Sequence, residues 1–363
     1  MKYFYLLFLL TSGILFSQEK NKIFAVDIDY FSGNIFKHSN DLSHLVTGHP
    51  DGFMLSLSRK TFGNQEWEQV YNHPDFGGYF MYQDFKNQYL GNVIAIGVHY
   101  NFYFWRRQLQ FKIAQGIGMV SNPYDKLTNN KNGAFGSKFM ANINLALEYK
   151  KQNLISNFGF QTGFLFTHFS NGRMKTPNSG INTFSVNVGI NYNFDKNLAF
   201  RKDTILSKIN YLEPIKYSFV FRSGVNESPV INSGQHPFYH ISVYADKRFN
   251  RKSAIQFGAE LFLTTSFKDF IFYQSQAYPT KNINPNTDYK RVGIFVGHEL
   301  FINRLSFEAQ LGYYIYQPYK FDFPIYDRLG IKYYFTKNAF TGVSLKTHAF
   351  FAEALEFGIG VRL

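Results

Sequence analysis

Ser170, His168 and Asn182 are a hydroxyl, an imidazole and an amide that together can make a nucleophile, a base and an orienting group. A serine hydroxyl attacks poorly until an imidazole takes its proton, and the imidazole serves best when a third group holds its other nitrogen. Whether the three can meet depends on the backbone. Even positions before the serine read Phe158, Phe160, Thr162, Phe164, Phe166 and His168, and odd positions read Asn157, Gly159, Gln161, Gly163, Leu165 and Thr167. Successive strand residues point to opposite faces, so His168 and Ser170 share the apolar face. In the next stretch Asn182, Phe184, Val186, Val188, Ile190 and Tyr192 form the apolar face, against Thr183, Ser185, Asn187, Gly189, Asn191 and Asn193. Paired as a hairpin, these strands would set Asn182 beside one ring nitrogen of His168 and Ser170 Oγ near the other. The amides of Asn171 and Gly172 follow the hydroxyl and can bind a developing oxyanion. The same residues also suit a plain polar cap where a strand leaves an apolar layer.

The elements that would carry this hairpin repeat along the chain. Ala141, Ile143, Leu145, Leu147 and Tyr149 alternate with Asn142, Asn144, Ala146 and Glu148. Residues 254–264 and 305–315 do the same, and 108–119 is similar. The chain ends on Leu355, Phe357, Ile359, Val361 and Leu363 alternating with Glu356, Gly358, Gly360 and Arg362. These segments exceed the usual strand of about 5–6 residues. Period two over segments of ~10 residues, with aromatic apolar faces, predicts a lipid-facing barrel wall around a polar interior, rather than a soluble sandwich. The terminal strand resembles the assembly signal of outer-membrane barrels, although Leu363 replaces their commoner aromatic ending.

Short polar turns fall at 150–153, 249–251, 302–304 and 336–338, and longer polar loops at 31–50, 121–135, 171–180, 225–236, 275–288 and 317–324. Short turns belong on the periplasmic side and long loops outside. Strands are expected near 22–30, 51–60, 66–84, 91–104, 107–119, 137–150, 153–170, 181–194, 215–225, 237–247, 252–265, 289–301, 304–316, 325–335, 339–348 and 353–363. The doubtful one is 66–84, so the expectation is one all-β, antiparallel transmembrane barrel of about 14–16 strands over 18–363. Segment 195–213 is an unusually long connection for the periplasmic side.

Composition narrows the setting. With 43 Phe and 26 Tyr the chain favours strands, and with no Cys it has neither disulfides nor thiol chemistry. Met1-Lys2 followed by apolar Tyr3–Leu10 and then Ser17-Gln18 reads as a secretory signal over 1–17. Its apolar stretch is shorter than the ~20 residues of a spanning helix, and no other run offers one. The net charge of +13 calls for an anionic partner, but the basic residues scatter into turns and loops, which argues against nucleic acid. Arg173 and Lys175 would instead suit lipid phosphates. His38, His44 and His49 share a loop with Asp41, but their spacing fits no metal motif, so neither a metal nor another cofactor is expected. His298 falls on the apolar parity of its strand, as a girdle residue would.

The run His168-Phe169-Ser170-Asn171, then Pro177-Asn178 and Gly180-Ile181 before Asn182, resembles the signature of the lipid A 3-O-deacylases, the PagL-like or acyloxyacyl hydrolase family. The resemblance covers 90–194 most clearly. It implies an outer-membrane barrel that hydrolyses an ester-linked acyl chain of lipid A in the outer leaflet, from the barrel's exterior, with lipopolysaccharide as partner. By it Ser170 is the nucleophile, His168 the base, Asn171 part of the oxyanion hole and Asn178 a further loop contact. The chain departs from the family in carrying Asn182 where those enzymes have Glu. It is also about twice the length of their eight-stranded barrels. An amide can orient an imidazole but cannot stabilise imidazolium as an anion does. The alternative expectation is a non-catalytic channel or structural barrel with a degenerate site.

Overall fold

The computed structural model describes residues 23–195, 200, 211, 213–349 and 351–363. The expected signal segment 1–17 and most of the 195–213 connection lie outside these residues. The first half holds β1 (Phe24–Ile35), β2 (Asp51–Arg59), β3 (Asp75–Asp84), β4 (Asn92–Phe104), β5 (Leu109–Val120), β6 (Phe139–Ile155), β7 (Phe158–Ser170) and β8 (Ile181–Asn193). The second half holds β9 (Lys216–Glu227), β10 (Gln235–Arg248), β11 (Ser253–Thr264), β12 (Arg291–Ile302), β13 (Leu305–Tyr316), β14 (Ile325–Tyr334), β15 (Ala339–His348) and β16 (Phe351–Arg362). Every one of these strands lies at a stretch where alternation predicts one.

The strands do not form one ring. β8 pairs with β7 and closes on β1, while β9 pairs with β10 and closes on β16. The expected single barrel over 18–363 is therefore two closed antiparallel barrels of eight strands each. The reason is physical. Alternation tells which face a strand buries, but it does not tell which distant strand completes the ring. The long connection after β8 was the one local sign of a break.

Two smaller departures are local. In the stretch 66–84 only Asp75–Asp84 is strand, and Glu66–Val70 is a short helix. Glu68 closes its entry by accepting from the Gly63 and Asn64 amides at 2.9 and 2.8 Å. The turn expected at 150–153 is still strand: β6 slips register between Lys151 and Ile155 and turns after Ile155, with Ser156 at φ 56°.

Burial is inside out. Outward residues such as Ile96, Val98, Phe164, Leu311 and Phe357 are exposed, whereas inward Asp27, Glu148, Arg222, Arg328 and Glu356 are buried. This suits a hydrocarbon surround, where apolar side chains face out and backbone polar groups pair within closed sheets. Eight strands leave an interior just wide enough for side chains. In the first barrel Lys150 meets Asp27 at 2.7 Å and Asn187 meets Glu148 at 2.6 Å. In the second, Arg328 reaches Glu260 at 2.5 Å and Glu356 at 2.7 Å, and Lys332 reaches Glu308 at 2.7 Å. Buried charges need such partners, because an unpaired one is strongly destabilising.

The barrels stand side by side and are tied at both ends. At the end bearing the 171–180 loop, Thr176 N donates to Glu227 Oε2 at 2.6 Å, Glu227 N to Arg173 O at 3.1 Å and Gln235 Nε2 to Met174 O at 2.8 Å. At the opposite end Tyr71 OH donates to the Phe301 carbonyl at 2.6 Å, and Glu66 pairs with Arg251.

Candidate active site between the barrels

The register of β7 with β8 sets His168 opposite Asn182, and that of β6 with β7 sets Ala141 opposite Ser170. All four side chains share the outer face. His168 Nε2 lies 2.9 Å from Ser170 Oγ, and His168 Nδ1 lies 2.6 Å from Asn182 Oδ1. Asn182 Nδ2 lies 3.3 Å from His38 Nδ1, and His38 Nε2 lies 2.9 Å from the Ser179 carbonyl. One set of donors satisfies this chain. Ser170 donates to His168 Nε2, His168 Nδ1–H to the Asn182 carbonyl, the Asn182 amide to His38 Nδ1, and His38 Nε2–H to Ser179 O. His38 thus sits against the amide end of Asn182, with its Nδ1 also 3.3 Å from the Phe36 carbonyl.

The loop after Ser170 is held tightly. The Asn171 amide donates to Asn178 Oδ1 at 2.7 Å, and Asn171 Nδ2 donates to Lys175 O at 2.8 Å and Ser137 Oγ at 3.1 Å. The oxyanion part expected of the Asn171 backbone amide is therefore already taken up by Asn178. Among the described residues the Gly172 amide has no hydrogen-bond acceptor. Gly172 has φ +61°, and a Cβ there would fall 2.6 Å from Leu355 Cβ of the second barrel. Gly180 has φ +68°, and a Cβ there would sit 3.3 Å from both His168 Cε1 and Ser170 Cβ. Both positions need glycine, for the left-handed backbone and for the close approach.

Ser170 is buried yet opens into a cleft of about 340 Å³ between the two outer walls. Its first-barrel side carries Ile113, Ala141 and Ile143, and its second-barrel side carries Leu345, Leu355 and Ile331. Beyond the cleft, toward the loops, Arg173 lines a crevice with Asp322. Burial holds the Arg173 guanidinium below its ordinary value, with the Asp322 and Glu353 carboxylates pulling the other way. Burial, and then Glu353, push Asp322 up against the pull of Arg291 and Arg173. Arg173 thus faces carboxylates of the second barrel, whereas Lys175 stays exposed.

The loop histidines do not gather as ligands. His44 Nε2 lies 2.6 Å from Lys131 O and His49 Nδ1 lies 2.7 Å from Asn34 Oδ1, while His38 joins the site. A second acidic group, Asp322, His348 and Glu353, has ligand-type atoms within 4.8 Å of one another. Arg291 and Lys346 already pair with Glu353, and Tyr314 OH lies 3.0 Å from His348 Nε2, so the charge a cation would meet is compensated. His298 faces outward, as expected, and lines the cleft.

Two contributors escaped the sequence reading. His38 was legible only as a loop histidine, because nothing local links it to Asn182. The second-barrel wall was legible as apolar, but not as facing Ser170.

Two family models match the chain, one along each barrel. The family model described as lipid A 3-O-deacylase (PagL) matches residues 51–191, and that described as acyloxyacyl hydrolase, C-terminal domain, matches residues 215–363. No curated relative matches the chain. Among solved structures the chain is similar to a mutant of the Rh. blastica porin, with 9% identity over 94% of this chain and 98% of that one, at TM-score 0.20. It is also similar to the Acinetobacter baumannii outer membrane protein Omp33, with 8% identity over 95% and 99% at TM-score 0.18. For a BenF-like porin from Pseudomonas fluorescens Pf-5 the identity is 9% over 95% and 98%, at TM-score 0.24. The strand pairing itself, rather than these loose likenesses, defines the two barrels. With one family match running through the first barrel and the other through the second, the chain belongs to the lipid A 3-O-deacylase (PagL) family of outer-membrane β-barrel hydrolases.

Proposed function

We propose that this protein removes an ester-linked acyl chain from lipid A, with Ser170 as nucleophile and His168 as base on the membrane-facing wall of the first barrel. The observation that carries this reading is the hydrogen-bonded run from Ser170 through His168 to Asn182 at the head of an apolar cleft. His168 Nε2 takes the Ser170 proton as Oγ attacks the ester carbonyl. The oxyanion of the tetrahedral intermediate is met by the Gly172 amide. Collapse expels the sugar hydroxyl, protonated by His168, and leaves an acyl-serine. Water, deprotonated by His168, then releases the fatty acid.

Asn182 keeps the proton of His168 on Nδ1, so that Nε2 can act as base. It adds no negative charge to the imidazolium, and His38 holds its amide in the working direction. Lys175, exposed on the loop, remains available to a lipid phosphate. The filled lumens favour this reading over a conducting channel, because the width expected of 14–16 strands in one ring is replaced by two packed interiors.

The test is to express wild type and Ser170→Ala in a lipopolysaccharide-bearing host and weigh the lipid A. Loss of one acyl chain with wild type only is the expected result. An unchanged mass with both overturns the proposal.

A further inference from the structure

We infer that the outer wall of the second barrel is the acyl-chain subsite of this hydrolase, an inference that rests on Ser170 being the nucleophile. The wall is ordered by strand register. Leu355 pairs with Leu345, Leu345 with Leu329, Leu329 with Ala309 and Ala309 with His298, which makes one row across β16 to β12. One step along the strands, Val343, Ile331, Phe307 and Leu300 make a second row. Both rows point outward, and both line the cleft that Ser170 enters. On the other side Ala141 and Ile143 continue the row that starts at Ser170 and His168.

The occupant follows from this geometry. The row crosses four strand spacings, roughly 19 Å in all, which matches an extended fatty acyl chain rather than a compact ligand. Its walls are aliphatic over most of that length, so only a flexible apolar chain gains by lying there. The cleft begins at Ser170 and Gly172, where the carbonyl of that chain must sit for attack. Small residues, Ala141 on one wall and Ala309 on the other, leave the gap between larger neighbours. The head of the cleft is also fixed in place. The loop that carries Gly172 is fastened to the second barrel through Thr176, Arg173 and Met174. The second barrel therefore closes a face of Ser170 that the first barrel alone would leave to bilayer lipid, and so it selects the length of chain that is cut.

The test uses the full chain in detergent micelles with butanoyl and dodecanoyl p-nitrophenyl esters. The readout is the ratio of kcat/KM for the long ester over the short one. Leu329→Trp and Ala309→Trp narrow the cleft away from its head, and Val243→Trp places the same bulk on the exposed wall of β10. The ratio should fall about tenfold or more in both cleft variants, which is what losing roughly two buried methylene contacts costs, and stay at the wild-type value in Val243→Trp. A Ser170-dependent hydrolysis whose ratio is unchanged in the cleft variants, including an equal fall on both esters, overturns the subsite alone and leaves the cleft as a seam filled by ordinary lipid. If neither ester is hydrolysed in a Ser170-dependent way, the nucleophile and the subsite fall together.

Discussion

Each barrel holds a histidine between a hydroxyl and an acceptor, and the two sets have opposite fates. In the first barrel His168 lies between Ser170 at 2.9 Å and Asn182 at 2.6 Å. In the second His240 lies between Thr264 at 3.2 Å and Glu356 at 2.7 Å. By residue type the second set is the better one, since it has the carboxylate that the first lacks. Yet His240 points inward on β10, is fully buried and shares Glu356 with Arg328. His168 points outward and opens into an apolar cleft. On the proposed reading, strand parity and access, rather than residue type, separate a place for chemistry from a structural brace.

The interiors differ as well. The first lumen is rich in amides, and several polar atoms there, among them Gln83 Oε1, Asn101 Oδ1, Gln110 Oε1 and Asn191 Oδ1, have no protein partner. The second is laced by Arg222, Arg328 and Lys332 against Glu260, Glu308 and Glu356. Removing one member of such a buried charge network leaves another charge short of its partner, which is strongly destabilising.

The comparison breaks most sharply at its two hydroxyls. Ser170→Ala should lower lipid A deacylation by on the order of 10⁴-fold or more, while Thr264→Val should leave it at the wild-type level, both read by mass spectrometry of released fatty acid. Glu356→Gln removes the carboxylate that Arg328 and His240 share, and leaves Arg328 with the Glu260 carboxylate alone. It should cost about 3–5 kcal/mol of stability, seen as a lower midpoint of denaturant unfolding, with the Ser170–His168 geometry of the folded fraction intact. Smaller effects sharpen the first set alone. Asn182→Ala should reduce kcat by roughly 10²- to 10⁴-fold through loss of the working tautomer. His38→Phe should reduce it about three- to tenfold, the worth of one hydrogen bond, and Asn182→Asp should make His38 dispensable.

Much of this was legible in the sequence for a physical reason. Period-two alternation states the inner and outer face of each strand, so the sharing of one outer face by His168, Ser170 and Asn182 could be read before any register was known. Pairing across a short separation, as between β7 and β8, follows from the hairpin. Ring closure does not: the pairing of Ile28 with Ile190 in one barrel and of Phe221 with Ile359 in the other depends on contacts remote in sequence. For the same reason His38, far along the chain from Asn182, and Leu355, on another barrel from Gly172, gave no local sign of their part. The oxyanion assignment to the Asn171 amide also needed the loop itself, because the Asn178 side chain that takes up this amide reaches back across a turn.

The most direct test of the outward site against the sealed one is covalent. The full chain in detergent is treated with a long-chain alkyl fluorophosphonate, digested and sequenced by mass spectrometry. A Ser170 nucleophile activated by His168 predicts an adduct on Ser170 in wild type, little or none in His168→Ala, and none on Thr264. An adduct that persists undiminished in His168→Ala, or that sits on a residue other than Ser170, would contradict it.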